Sequence, residues 1–120
     1  MLEGKTLREQ MLLICLLSMK ASVFMGPDCI LIYMNSENPL CDCSVSRKLF
    51  TEQILRVMRA AIPPERYDPE EAESICTYLV ILQKGPGYEW FTSRDDPAFD
   101  IMKVSEEILG RAIRTMELPV

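Results

Sequence analysis

Two cysteines one residue apart, Cys41 and Cys43, form the most compact group of reactive side chains in the chain. Thiolates at this spacing could chelate a soft metal ion, with Cys29 and Cys76 completing four ligands. Zinc sites more often use cysteine pairs separated by two to four residues and occurring twice, and redox sites use C-x-x-C before a helix. Because neither pattern occurs, small buried cysteines are the favoured interpretation. We predict no metal and no cofactor, and a metal or thiol-redox protein remains an alternative.

Acid–base and nucleophilic chemistry lack a recognisable arrangement. Histidine is absent from the 120 residues, which excludes a Ser-His or Cys-His pair and a histidine-ligated metal within the chain. Most carboxylates lie where helices are expected to begin, and acids there stabilise the helix dipole. The loop Lys84-Gly85-Pro86-Gly87 is too short to cradle a phosphate. We predict a non-enzymatic protein, with a small ligand-binding domain or a histidine-free enzyme as the other alternative.

The net charge of −5 and the pI near 4.8 argue against general binding to nucleic acid or to an anionic membrane, since both need a positive field. The charge is also unevenly distributed. Residues 47–66 carry five basic and two acidic side chains, a local charge of +3, whereas residues 68–107 carry ten acidic and three basic, a local charge of −7. A domain with a basic and an acidic side could associate head to tail or bind a charged partner.

Three aromatic residues, Tyr88, Trp90 and Phe91, follow the glycine–proline loop and include the single tryptophan. On a strand, Tyr88 and Trp90 would face one way and Phe91 the other. One face would then carry aromatic surface away from the core of the domain. Because aromatic residues concentrate at binding hot spots, these three are the predicted partner-binding residues.

The length and composition are those of one globular domain spanning residues 1–120, with 48% apolar and 26% charged residues. Five cysteines, an odd number, are typical of reduced thiols and indicate a cytoplasmic protein. The apolar run Met11–Leu17 is too short to cross a bilayer. Lys20 follows where a signal peptide would have its small-residue cleavage site, so a core helix is favoured over a signal peptide.

The first half of the chain predicts a helix, two strands and a second helix. A helix from Leu2 to Ser22, with Leu7, Met11, Ile14, Cys15 and Ser18 on one face, would be buried nearly all round. Short strands at Cys29–Met34 and Leu40–Ser46, around a turn cluster at 35–39, would form a hairpin. The second helix would be capped by Ser46 and stopped by Pro63-Pro64. Its predicted apolar stripe comprises Phe50, Ile54, Val57, Met58 and Ala61.

Residues 68–84 are ambiguous. Asp68-Pro69-Glu70-Glu71 is a strong helix start, and Gly85-Pro86 is an equally clear stop. Against one helix, Thr77–Leu82 (TYLVIL) is rich in β-forming residues and could pair with Tyr88–Thr92 (YEWFT) as a second hairpin.

The last helix is predicted to begin at Asp96-Pro97 and to end at Leu118-Pro119. Its expected core stripe comprises Ile101, Val104, Ile108, Ala112 and Met116, with Met102 and Leu109 at the edge. The predicted fold is therefore α+β, a helix-rich single domain in the order α-ββ-α-(α)ββ-α with a small antiparallel sheet. An all-α domain of four helices is the alternative.

The order helix–hairpin–helix–hairpin–helix is similar in outline to roadblock and longin-like dimerising domains and to the small acidic chaperones of bacterial secretion systems. This resemblance of layout transfers no functional residues. Together with the apolar first helix and eight methionines, it favours a protein-binding module of adaptor or small acidic chaperone type. We expect a homodimer that binds a protein partner but neither nucleic acid nor membrane.

Overall fold

A computed structural model describes residues 4–26 and 43–120. Four helices account for the regular structure of these residues: α1 (Leu7–Met25), α2 (Cys43–Ala61), α3 (Pro69–Thr92) and α4 (Ile101–Thr115). No strand occurs within the described ranges. The α+β prediction is therefore wrong, and the all-α alternative with four helices describes the fold. The strand predicted at Cys29–Met34 lies outside the described residues.

Helix α1 begins at Leu7 because Thr6 caps it, its hydroxyl oxygen accepting a hydrogen bond from the Glu9 amide at 3.2 Å. It ends at Gly26, whose φ of 92° favours glycine. The predicted face is largely confirmed, since Leu7, Met11 and Cys15 are buried. Burial all round is wrong within the described structure. The buried residues of α1 are Leu7, Met11, Ile14, Cys15 and Met19, while Leu17 and Phe24 are 43% and 94% exposed.

Helix α2 begins at Cys43, three residues before the predicted cap Ser46. The described part of the predicted return strand, residues 43–46, is therefore helical. The apolar stripe is confirmed at Phe50, Ile54, Val57 and Met58, and Ala61 is exposed. The predicted stop is also confirmed, because α2 ends before Pro63-Pro64.

Helix α3 begins as predicted, with the Asp68 carboxylate accepting from the Glu70 amide at 3.0 Å and Pro69 in the first turn. It does not stop at Gly85-Pro86 but continues to Thr92, so the hairpin of TYLVIL with YEWFT is wrong. The buried face explains why. Leu79 and Pro86, seven residues apart, both lie on it, so the same helical phase packs inward before and after the proline. Tertiary burial overrides the β-propensity of Thr77–Leu82.

Helix α4 begins at Ile101, four residues after the predicted Asp96-Pro97 start. Asp100 is the cap, and its carboxylate accepts from the amides of Met102 and Lys103 at 3.1 and 3.2 Å. Asp96 instead closes a separate turn by accepting from the Ala98 amide at 2.9 Å. The predicted core stripe has the wrong phase. The buried residues are Ile101, Ser105, Leu109, Gly110 and Ile113, whereas Ile108 is 36% exposed.

The four helices surround one core. Helix α1 packs against α2 and α4, and α3 packs against the same two helices. All four supply residues to a single buried cluster that includes Met11, Ile54, Leu79 and Leu109. Arg8 adds a polar tie by donating to the Ile113 carbonyl, one of the last-turn carbonyls that a helix leaves without an internal partner.

Because α3 continues through Pro86, we expect that replacing this proline by alanine will stabilise the protein. Pro86 has no amide hydrogen to donate to the Leu82 carbonyl, and an interior proline costs a helix about 3 kcal/mol relative to alanine. Pro86→Ala also removes two buried methylenes, at about 0.8 kcal/mol each. We expect a net rise of about 1 kcal/mol in the free energy of unfolding, measured by urea denaturation followed by circular dichroism.

Pro64→Ala is the matched control. Pro64 is exposed in the turn closed by the Arg66 amide on the Pro63 carbonyl at 2.9 Å. There alanine should lower stability by about 0.5 to 1 kcal/mol, because it frees the unfolded chain. A loss of stability for Pro86→Ala as well would indicate a loop at 84–87 rather than a helix.

Candidate protein-binding face

Helix α3 presents large side chains to the outside at helical spacing. Tyr78, Ile81 and Tyr88 are 48%, 57% and 49% exposed. At about 100° per residue they fall within an arc of about 80°, and we call them the α3 stripe. Gly85 lies within the same arc, and no other atom comes within 4 Å of a Cβ added there. The stripe is thus open along its middle.

Helix α4 extends this apolar surface. The first half of α3 lies beside the last turn of α4, because Tyr78 lines the same cavity of about 410 Å³ as Ala112 and Thr115. The two helices therefore run antiparallel. On α4, Ile108 lies one turn before Ala112 and is 36% exposed. A further exposed aliphatic side chain therefore lies on the helix that neighbours α3.

The three predicted partner-binding residues do not share one face. Tyr88 lies on the α3 stripe, whereas Trp90 is half-buried and packs against the core. Phe91 is half-buried beneath the Arg94 guanidinium, whose central carbon lies 4.5 Å from the ring centroid, a cation–π contact. On a helix, two residues separate Tyr88 from Trp90 by about 200°. Of the three, only Tyr88 is exposed.

Two members of the stripe, Tyr78 and Ile81, were missed by the sequence analysis because TYLVIL resembles a strand. A signal was available in the helical phase set by Ala72, Ile75 and Leu79, which are all buried. Extending that phase through residue 88 places Ile81 and Tyr88 on the opposite side and Tyr78 about 90° from the buried face.

A groove lies along the first half of α3 and shares Tyr78 with the α3 stripe. Two adjoining cavities of about 290 and 410 Å³ share Glu71 and Ile75, and we call them together the acidic groove. Its apolar floor includes Met58 and Ile62 from the end of α2 and Ile75 from α3. Its far wall is formed by Leu118 and Pro119, which follow α4.

The charged side chains that line the groove are Asp68, Glu71 and Glu117 against the single cation Arg66. None of these four forms a salt bridge within the described ranges, where one ion pair joins Arg111 to Glu107 at 3.2 Å on the surface. Glu70 and Glu73 are exposed nearby in the first two turns of α3. The floor of the groove is already buried, since Met58, Ile62 and Ile75 are 1%, 3% and 8% exposed, and the charged residues of its rim are three acids and one cation.

Two thiols, Cys15 of α1 and Cys76 of α3, are buried in the core and free. Burial, with a smaller contribution from the neighbouring Cys76, raises the pKa of Cys15 to about 12. Burial and then the nearby Glu73 carboxylate raise the pKa of Cys76 to about 11. The Cys76 thiol donates to the Thr51 carbonyl of α2 at 4.0 Å. Both are inert core thiols, since the thiolate is the reactive form.

Only some of the cysteines considered as metal ligands lie within the described residues. Cys29 and Cys41 lie outside the described residues, and Cys43 opens α2. The described residues contain no group of three or more His, Cys, Asp or Glu side chains placed to hold a metal ion. Among the same residues, no helix has both the length and the hydrophobicity to cross a membrane.

No family model, characterised protein or solved structure matches this chain. The function of this chain is therefore inferred from the geometry of its own residues.

The burial of Cys15 and Cys76 predicts that both thiols are modified slowly in the native state. Iodoacetamide at pH 8 should leave Cys15 and Cys76 unmodified in folded protein and should modify both in urea, as mapped by mass spectrometry. Because their pKa values are raised on folding, the unfolded state loses protons first. Stability should therefore be unaffected below pH 9 and should fall as the pH rises towards 11 and 12. Rapid native modification of Cys76 would contradict this placement.

Truncating the side chain of Ser105 should stabilise the protein. Its side chain is fully buried on α4, and its hydroxyl oxygen has no hydrogen-bond partner among the residues that the structure describes. An unpaired buried hydroxyl costs about 1 to 3 kcal/mol, and alanine is the better helix former. Ser105→Ala should raise the free energy of unfolding by about 1 kcal/mol, measured by urea denaturation. A loss of similar size would show that the hydroxyl has a partner.

Proposed function

We propose that this protein is a non-enzymatic protein-binding module of adaptor type that forms a homodimer through the α3 stripe. The observation that carries the proposal is the exposure of Tyr78, Ile81 and Tyr88 on one side of one helix. Tyrosine is enriched at hot spots of protein interfaces. Contiguous exposed apolar surface of this kind marks interaction sites more often than single exposed residues do.

The packing of α4 supports the same surface. A fully buried serine, Ser105, occupies the core face, while Ile108 remains 36% exposed. This is the reverse of the usual distribution of the two residue types. An interface that extended from the α3 stripe onto the neighbouring α4 would cover Ile108 and account for its exposure.

The other large apolar residues that are well exposed within the described ranges are Leu17 and Phe24 on α1, Leu49 on α2 and Val120 after α4. Leu49 is flanked by the charged side chains of Lys48 and Glu52. Leu17 and Phe24 fall on one line of α1, but this line carries no tyrosine, the residue type enriched at interface hot spots. The α3 stripe is therefore the surface to which we assign self-association.

We also propose that the protein acts in the cytoplasm. The two described cysteines that are buried, Cys15 and Cys76, are both free thiols. Free thiols are typical of reducing compartments.

Ile81→Glu tests the proposal. A charge at the centre of an apolar interface should weaken the dimer by about 2 kcal/mol or more, about thirtyfold in Kd. We expect wild-type protein to be dimeric in size-exclusion chromatography with light scattering, and Ile81→Glu to be monomeric at the same concentrations with unchanged helicity.

Leu49→Glu is the matched control, since it adds the same charge at a side chain that is 55% exposed on another helix; it should remain dimeric. Tyr88→Ala should weaken the dimer, whereas Phe91→Ala should not. Wild-type protein that is monomeric throughout a concentration series would refute the proposal.

A further inference from the structure

The arc of α3 that holds the α3 stripe also holds small residues. Tyr78, Ile81 and Tyr88 project from this arc and are 48%, 57% and 49% exposed. Ser74 and Gly85 lie within the same arc of about 80° and are exposed as well. A Cβ added at Gly85 would have open space around it. The surface therefore has depressions at Ser74 and Gly85 between its large side chains.

The symmetry of a homodimer restricts how two such surfaces can meet. A dimer with a twofold axis uses the same patch on both copies, so the stripe on one α3 faces the stripe on the partner's α3. The two helices then run either parallel and in register or antiparallel. In the parallel arrangement every residue lies level with its own copy. Tyr78 and Tyr88 would each meet a tyrosine, and Gly85 would face a glycine across a gap.

The charges of α3 also disfavour the parallel arrangement. Glu70, Glu71 and Glu73 are exposed in the first two turns, and in a parallel pair each would face the same carboxylate of the partner. An antiparallel pair moves these three acids towards the last two turns of the partner helix, where α3 carries one acid, Glu89. Because like charges opposed across an interface are unfavourable, the antiparallel arrangement is favoured.

We propose that two antiparallel α3 helices form the homodimer, with the twofold axis beside Ile81. In this arrangement Tyr88 lies on the partner's Ser74, and Tyr78 lies on the partner's Gly85. The inference rests on the proposed homodimer and specifies its geometry. Tyr88 and Ser74 stand seven residues to either side of Ile81, so they are level across the axis. Tyr78 and Gly85 are offset by one residue, about 1.5 Å. Each tyrosine thereby fills a depression, as the close packing of an interface core requires.

Gly85→Leu tests the contact between Tyr78 and the partner's Gly85. Leucine is a good helix former and has open space at this position within one copy, so the helicity should be retained. In the proposed dimer leucine would occupy the place of the partner's Tyr78, and such overpacking should weaken dimerisation by about tenfold or more. If Gly85 were only a gap in an apolar surface, leucine would enlarge that surface and tighten the dimer.

The dissociation constant is measured by light scattering over a dilution series, with helicity followed by circular dichroism. Gln53→Leu is the matched control, because it adds the same side chain at an exposed position of α2. It should leave the dissociation constant within about twofold. A Gly85→Leu dimer that is as tight as wild type, or tighter, would overturn the proposed packing.

Glu89→Lys tests the orientation of the two helices. Glu71 and Glu89 lie on the same edge of the stripe, both about 20° beyond Tyr78. In the antiparallel pair Glu89 stands within about 3 Å, along the helix axis, of the level of the partner's Glu71, so these carboxylates repel each other. Lysine at position 89 replaces repulsion by attraction twice in each dimer and should tighten it about fivefold.

A parallel pair predicts a different result for the same variant. There the two lysines would oppose each other as the two glutamates did, and the affinity would not rise. Glu52→Lys is the control for net charge, since it makes the same charge change at an exposed position of α2 and should leave the dissociation constant within about twofold. No gain for Glu89→Lys, or an equal gain for both variants, would refute the antiparallel arrangement.

Failure of this arrangement is separable from failure of the proposed function. Wild-type protein that stays monomeric would refute the homodimer itself. A dimer that Ile81→Glu dissociates, but that Gly85→Leu and Glu89→Lys leave unchanged, would keep the proposed function and remove the antiparallel packing about Ile81.

Discussion

The arrangement of this protein depends on the burial of one face of α3 on both sides of Pro86. Leu79 before the proline is fully buried, and Pro86 itself lies on the same inward face. Packing of that face against α2 and α4 outweighs the hydrogen bond that the proline removes. Because the helix continues, its outward side continues too, and Tyr88 falls within about 80° of Tyr78 around the helix axis. A break at Gly85 would have separated these side chains.

The orientation of α4 follows from this packing and produces the exposed isoleucine. Helix α4 buries Leu109 and Ile113 fully, and the residue four positions before Leu109 on that face is Ser105. Burying Ile108 instead would require a rotation of about 100°, which would turn Leu109 and Ile113 away from the core. Two well-buried aliphatic side chains outweigh one unpaired hydroxyl. The apolar surface beside the α3 stripe is thus a consequence of core packing.

Sequence patterns predicted the helix boundaries that local residues set, but not the features that tertiary packing sets. The Asp68-Pro69 start, the stop at Pro63-Pro64 and most of the apolar stripe of α2 are confirmed, because each is set by local hydrogen bonding or by phase. Local rules failed where tertiary packing decided, namely at Gly85-Pro86 and in the phase of α4. The same error affected the prediction of the partner-binding residues. Tyr88 was identified for its aromatic type, while Tyr78 was hidden by β-forming neighbours.

The negative charge at the start of α3 has a local structural cause. Asp68 caps the helix, and Glu70 and Glu71 complement its dipole, which is a sufficient structural reason for a negative first turn. That reason does not extend to Glu117, which follows α4 and faces the groove from the other wall. Acids near a helix C-terminus gain nothing from the dipole. The acids of the first turn of α3 are therefore explained by capping and by the helix dipole, whereas Glu117, which lines the same cavity, has no such local cause.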